Sequence, residues 1–226
     1  MTETVLVVAA HPDDELLGCA GTLARHVAAK DDVHILIMGE GATSRADAPM
    51  SLVSELREHA VQAAKIIGTQ PPRFAGLPDN RLDEFPLLQI TQRVEAEVAA
   101  VQPSVMYTHH GGDLNKDHRV LHQAVVTACR PQMSSPVRAI YAYETPSSTE
   151  WSSTAIDGEG FRPTRFVDIS RHLEQKLRAL ACYRSEMRAF PHSRSIEGVR
   201  ALATWRGAMS GYSAAEAFVV VRERVG

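Results

Sequence analysis

The sequence predicts an α/β fold, a mainly parallel sheet with helices on both faces, three layers in all. Two observations carry this expectation. Short, β-branched, non-alternating apolar runs recur along the chain, as in strands buried on both faces. Segments with apolar residues at helical spacing separate them, and such alternation calls for parallel pairing with right-handed crossovers.

The first run, residues 4–9, is Thr-Val-Leu-Val-Val-Ala. The corner Ala10-His11-Pro12-Asp13-Asp14-Glu15 follows, then a helix over residues 15–29. Asp31-Asp32 marks a turn before a second buried strand at 33–38, whose loop is Gly39-Glu40-Gly41-Ala42. A helix at 51–67 stops at Gly68. The third strand, 73–76, leads into Leu77-Pro78-Asp79-Asn80-Arg81-Leu82, and a helix covers 86–100. Strand four is 104–108, with its loop at 109–116 and a helix at 117–129. Strand five is 137–143. Residues 146–162 are rich in Ser, Thr and Gly and read as an irregular excursion. A strand at 166–169, helices at 171–184 and 196–209, and a strand at 217–222 complete the chain. No linker interrupts it, so residues 1–226 form a single domain in which 146–226 is an extension that helps wall the site.

Composition narrows the function. The chain is 44% hydrophobic and 23% charged, as in ordinary globular proteins, and its formal charge of −3 gives no reason to expect nucleic acid as a partner. No apolar run reaches the length of a membrane span, and the first strand begins without a basic, apolar leader. Cys19, Cys129 and Cys182 are scattered, which suits buried thiols in a reducing compartment better than a disulfide frame. A cytoplasmic protein acting on a small molecule is expected, and a homo-oligomer is compatible with the sequence. Gly18-x-x-Gly21 falls inside the first helix and lacks the dinucleotide pattern, so no nucleotide cofactor is expected.

Chemistry concentrates at two corners. His11 and Asp14 are ligand types that zinc accepts, and their spacing allows one helical turn to present both on one side. Asp13 between them is left free to act as a base. Pro-Asp-Asp-Glu is also good helix-opening chemistry, so capping alone is the competing explanation. The second corner is Thr108-His109-His110-Gly111-Gly112-Asp113-Leu114-Asn115-Lys116-Asp117-His118-Arg119. If strands one and four are neighbours the corners converge, and His118 becomes a third ligand. A His118/His122 pair is the alternative set. Asp117 either orients a ligand histidine or holds an arginine of the site. His26, His34, His59 and His172 read as surface or core histidines.

Together the two corners resemble the LmbE-like (PIG-L) zinc-dependent N-deacetylases. Gly39-Glu40, Arg57-Glu58, Leu77-Pro78-Asp79, Lys176-x-x-Ala179-Leu180 and Ala215-Glu216-Ala217-Phe218 extend the similarity over most of the chain. The resemblance implies a Rossmann-like three-layer α/β/α sandwich. It implies His11, Asp14 and His118 as ligands of Zn²⁺, with Fe²⁺ as the other metal to consider, and Asp13 as general base. It places Glu40, Arg57 and Asp79 at positions that hold the sugar. One departure concerns Asn115, which stands where some relatives carry histidine. An amide can donate to an oxyanion but cannot supply a proton. The acid role then passes to Asp13, His110 or His192, the last within Phe190-Pro191-His192-Ser193-Arg194 between two helices. The expected reaction is hydrolytic removal of an N-acetyl group from an N-acetylated amino sugar or its conjugate. A metal-dependent amidase acting on a non-sugar acyl-amine and a non-catalytic binding protein on the same fold are the alternatives.

Overall fold

Every buried run of the sequence becomes a strand of one sheet. The computed structural model describes residues 2–42, 44, 49–133, 135–153 and 160–225. Its strands are β1 (Thr4–Ala9), β2 (Asp32–Gly39), β3 (Arg73–Leu77), β4 (Val105–His109), β5 (Ala139–Tyr143), β6 (Arg165–Asp168) and β7 (Ala215–Glu223). The helices are α1 (Asp14–Ala28), α2 (Met50–Ile67), α3 (Leu87–Val101), α4 (Lys116–Ala128), α5 (Leu173–Leu180) and α6 (Ile196–Ser210). Short 3₁₀ turns lie at Leu82–Glu84 and Thr149–Trp151.

The sheet runs β3-β2-β1-β4-β5-β7-β6. The first five strands are parallel, whereas β7 lies antiparallel to both β5 and β6. The extension therefore supplies two strands of the same sheet. β1 pairs with β2 on one side and with β4 on the other, with Val5 opposite Val105 and Val7 opposite Tyr107. The chain winds outward from β1 to β3, then returns to start again at β4. That reversal opens a crevice beyond the carboxyl ends of β1 and β4, the place where open α/β sheets bind ligands.

Alternate residues of β1 feed the two cores. Val5, Val7 and Ala9 pack with residues of α1, α2 and α5. Leu6 and Val8, with Ala10 just beyond the strand, pack with residues of α3 and α4. A strand with both faces covered has no polar side to offer, which is why its sequence does not alternate.

Helix α1 carries the first corner, and its packing is close. A Cβ on Gly18 would lie 2.1 Å from the Tyr143 ring, so only glycine lets the helix approach β5. Farther along, Glu216 of β7 accepts the backbone N–H groups of Gly21 and Thr22 at 2.9 and 2.7 Å. Lys176 of α5 donates to Leu17 O at 2.8 Å and to Glu216 at 2.7 Å. Both charges are buried, so each needs the other. The extension thus holds α1 through its own backbone.

The helix expected at 171–184 is shorter. After Leu180 the hydrogen bonds tighten to Cys182 N–Ala179 O and Tyr183 N–Leu180 O. The turn directs Tyr183 inward, where its hydroxyl donates to Glu15 at 2.6 Å. The excursion expected at 146–162 includes the turn at Thr149–Trp151; its residues 154–159 lie outside the described residues.

Candidate active site

Because β1 and β4 are neighbours, the two corners meet. Asp14 Oδ2 is the point of convergence. His11 Nδ1 lies 3.2 Å from it and His118 Nε2 lies 3.3 Å from it. The three ligand atoms all fall within 4.8 Å of one another. A tetrahedral ion bonded at about 2.1 Å needs ligand atoms about 3.4 Å apart, so both measured edges fit. Neither contact of His118 has hydrogen-bond geometry: its ring nitrogens are buried and aimed at acceptors they do not engage. Imidazole, imidazole and carboxylate with a side open to a cavity is a donor set for a catalytic divalent metal.

The electrostatics point the same way. Burial disfavours charge on His118, but Asp14 and Asp113 outweigh it and push its pKa up to about 9. His11 is likewise raised against its burial, through Asp117 and Asp14. A place that draws protons onto two buried imidazoles is one that attracts a cation.

Each of the two imidazoles also faces a second carboxylate. His11 Nε2 lies 3.0 Å from Asp117 Oδ2, while Asp117 Oδ1 accepts Leu82 N–H at 2.9 Å. His11 Nε2 also lies 3.3 Å from Asp79 Oδ1. Asp117 therefore serves His11, from the opposite corner. His118 Nδ1 faces Asp113 Oδ1 at 3.1 Å. Asp113 in turn accepts the hydroxyls of Ser148 and Thr149 and the Asn115 N–H. Burial alone would raise the Asp113 carboxyl, yet His118, with the Ser148 and Thr149 hydroxyls, holds it down to about 2. His122 Nδ1 is taken by the backbone carbonyl of His109 at 2.8 Å and lies outside the cluster.

Asp13 caps α1 with φ of 109°, a left-handed conformation that a non-glycine residue adopts at a cost. Its N–H donates to Glu15 at 3.1 Å, and its carboxylate meets Arg194 at 3.2 Å. Burial pushes the Asp13 carboxyl well above the usual range, although Arg194 opposes this. Asp13 and Asp14 stand side by side on the wall of one polar cavity of about 170 Å³. His11, His118, Asp79, Asn80, Asn115, Ser44, Ser147, Ser148, Glu186 and Arg194 line it too, with Pro12 and Gly41.

The remaining residues singled out from sequence fall in several places. Asn115 lines the cavity, but its Oδ1 caps α4 through Asp117 N–H and its Nδ2 donates to Asn80 at 3.0 Å. Asp79 lines the cavity. Glu40, Arg57, His110 and His192 do not. Glu40 follows β2 and its N–H bonds Leu77 O. Arg57 lies over the Phe74 ring and borders a separate groove along α2. His110 meets Phe161 edge-on. His192 meets Trp151 edge-on and accepts the Arg194 N–H. Sequence reasoning gave no role to Asp113, His109, Ser147, Ser148, Glu186 or Arg194. Asp113 had a readable signal, a carboxylate inside the second motif. The last four come from irregular segments that carry no periodicity.

Comparisons with known proteins identify the family. The sequence matches the PIG-L family, described as GlcNAc-PI de-N-acetylase, over residues 6–129. It is 28% identical over 190 residues to the uncharacterized deacetylase YaiS of Escherichia coli (strain K12), covering 80% of this chain and 90% of that one. It is 28% identical over 202 residues to a probable N-acetyl-alpha-D-glucosaminyl L-malate deacetylase 2 of Bacillus cereus, covering 84% and 86%. Among solved structures, GalB, the 4-carboxy-2-hydroxymuconate hydratase of Pseudomonas putida KT2440, superposes with a TM-score of 0.79 at 21% identity, covering 100% of this chain and 98% of that one. That likeness establishes the fold, and the fold alone does not choose a reaction. The family match spans more than half of the chain, both of its corners included, and the chain belongs to the PIG-L (LmbE-like) family.

Proposed function

We propose that the protein is a zinc-dependent N-deacetylase that hydrolyses the acetamide of an N-acetylated amino sugar or its conjugate. One observation carries the reading: His11, Asp14 and His118 converge on the wall of a polar cavity that Asp13 also lines. The family description and the Bacillus cereus relative, both concerned with N-acetylglucosamine derivatives, support the substrate class.

The residues divide the work as follows. His11, Asp14 and His118 hold the metal, with Asp117 and Asp113 fixing the two rings. A divalent ion in such a site polarises the amide carbonyl and lowers the pKa of a water. Asp13 takes the proton of the attacking water, then returns it to the leaving nitrogen, which must depart as an amine. Asp13 thereby covers the acid step for which Asn115 is unsuited and from whose cavity His110 and His192 stand apart. Iron(II) is accommodated by the same donor set.

The cavity also describes the substrate. Its lining is almost wholly polar, with only Pro12 and Gly41 apolar, so it suits a short acetyl group on a hydroxylated ring. Asp79, Asn80 and Ser44 form a hydrogen-bonded set on one wall and supply hydroxyl recognition. Glu40 and Arg57 lie outside the lining and meet the part of the substrate that projects from it.

The test is acetate release from a panel of N-acetylglucosamine conjugates, non-sugar acetamides and long-chain acyl-amines, with metal-replete protein. Turnover confined to amino sugars is expected. Turnover of acetamides alone would move the reading to a non-sugar amidase. Metal-replete protein that turns over none of them would overturn it in favour of a binding protein or another reaction. Asp13→Asn retains its metal and loses most turnover; loss of the metal in that variant would make Asp13 a ligand instead.

A further inference from the structure

Arg194 reaches the cavity from the segment between α5 and α6, far from both motifs. Its Nη1 lies 3.2 Å from Asp13 Oδ2 and 3.5 Å from Glu186 Oε2. Its Nε donates to Ser147 Oγ at 2.9 Å. The side chain is only 25% exposed, so these contacts form where water screens little. The segment around it is braced. Arg194 N–H bonds His192, Arg188 N–H bonds Arg194 O, and Ser195 caps α6 through Gly198 N–H. Ser147 is braced as well, since its own N–H donates to Glu150 at 2.7 Å.

We propose that Arg194 is a positioning residue for the reaction: it clamps one oxygen of Asp13 so that the other is presented to the attacking water. The inference rests on the reading of Asp13 as the base. Asp13 sits in a left-handed backbone conformation that by itself fixes nothing about its side chain. With Oδ2 occupied by the guanidinium, Oδ1 is the oxygen left to accept a proton. A guanidinium does not lose its own proton, so it cannot compete for that role. Its planar fork explains why arginine stands here. Nη1 spans two carboxylates while Nε holds Ser147, a geometry that an ammonium cannot reproduce. Ser147 and its neighbour Ser148 bind Arg194 and Asp113 respectively, so one short segment orients both the base and a ligand histidine.

The test compares wild type, Arg194→Gln, Arg194→Lys and Asp13→Asn. We expect Arg194→Gln to keep one metal per chain and a KM within about threefold, while kcat falls on the order of 100-fold, the scale of a misplaced catalytic group. Added guanidinium ion should restore part of kcat, and Arg194→Lys should fall between. A merely structural role would not respond to guanidinium. Loss expressed only in KM would make Arg194 a substrate-binding residue and overturn the proposal, as would an unchanged kcat. A crystal structure of Arg194→Gln gives a readout independent of turnover: the Asp13 carboxylate is expected to turn, and an unmoved carboxylate would overturn the proposal. Asp13→Asn distinguishes the two layers. Full activity there would sink the reading of Asp13 as base, while the crystal structure still decides whether Arg194 holds its carboxylate.

Discussion

The ring of His109 lies flat against that of His118, with centroids 3.8 Å apart and planes 19° from parallel. His109 is the last residue of β4 and is fully buried. Its Nε2 accepts the Ala10 N–H at 2.9 Å, so the side chain continues the β1–β4 pairing past the point where the backbones part. Nε2 is then an acceptor and the proton belongs on Nδ1, which faces Thr145 Oγ1 at 3.3 Å. Burial, with His118 adding to it, holds the His109 pKa well below the usual value, and the ring stays neutral. His109→Leu should therefore weaken metal binding by about 10–100-fold, the range for partners that orient ligands. His109→Gln, which can still accept from Ala10, should lose less. Competition against a chelator measures both, and equal affinity in all three proteins would contradict the role.

The identity of the third ligand is open to a direct check. His118→Ala should purify without metal, whereas His122→Ala should keep it. His122 is already committed to the His109 carbonyl through Nδ1. Metal content by elemental analysis decides, and the reverse pattern would move the ligand one helical turn along α4.

Glu15 makes stability depend on pH. Burial raises its pKa to about 7, against the hydrogen bonds from Tyr183 and Asp13 that lower it. An acid whose folded pKa is raised keeps a proton that the unfolded chain releases. Stability is fullest below the unfolded value of about 4.3 and is lost as pH climbs toward 7. Between pH 5.5 and 8 this single group should cost about 2 kcal/mol. Glu15→Gln, neutral at every pH, should show a correspondingly shallower decline. Urea unfolding of both proteins at the two pH values, in matched metal states, tests it. Parallel declines would show that Glu15 titrates normally.

What the sequence disclosed follows from where physics is local. β1, β2, β4 and β5 were legible because a doubly covered strand leaves a run of apolar residues, and the candidate cluster of His11, Asp14 and His118 because its members sit in short motifs at strand ends. Asp117 was legible as a partner but not as the partner of His11, since that pairing crosses from one corner to the other. Arg194 and Ser147 were illegible. They reach the cavity through turns whose course depends on Tyr183 finding Glu15 and Ser148 finding Asp113, contacts between residues far apart in the chain. The antiparallel direction of β7 was hidden for the same reason: it is set by α6 and its turns, whereas the strand's own composition is neutral to direction.

Gly18 offers a test in which two effects oppose. In a helix interior, replacing glycine by alanine gains about 1 kcal/mol of propensity. Here the added methyl would lie 2.1 Å from Tyr143 Cδ2 and 2.5 Å from Cγ. Tyr143 has no room to yield: it is fully buried, and its hydroxyl lies 3.3 Å from His109 Nε2. Overpacking of a tight core typically costs about 1–3 kcal/mol, and a contact this short belongs at or above the top of that range. The clash should win, so Gly18→Ala is expected to be less stable than wild type by about 2 kcal/mol or more in urea. Because the displaced ring touches His109, and His109 touches His118, the same variant should bind metal more weakly while every ligand remains in place. A stabilised Gly18→Ala would mean that α1 does not pack against β5 at this distance, and the placement of Asp13 and Asp14 at the head of that helix would have to be redrawn.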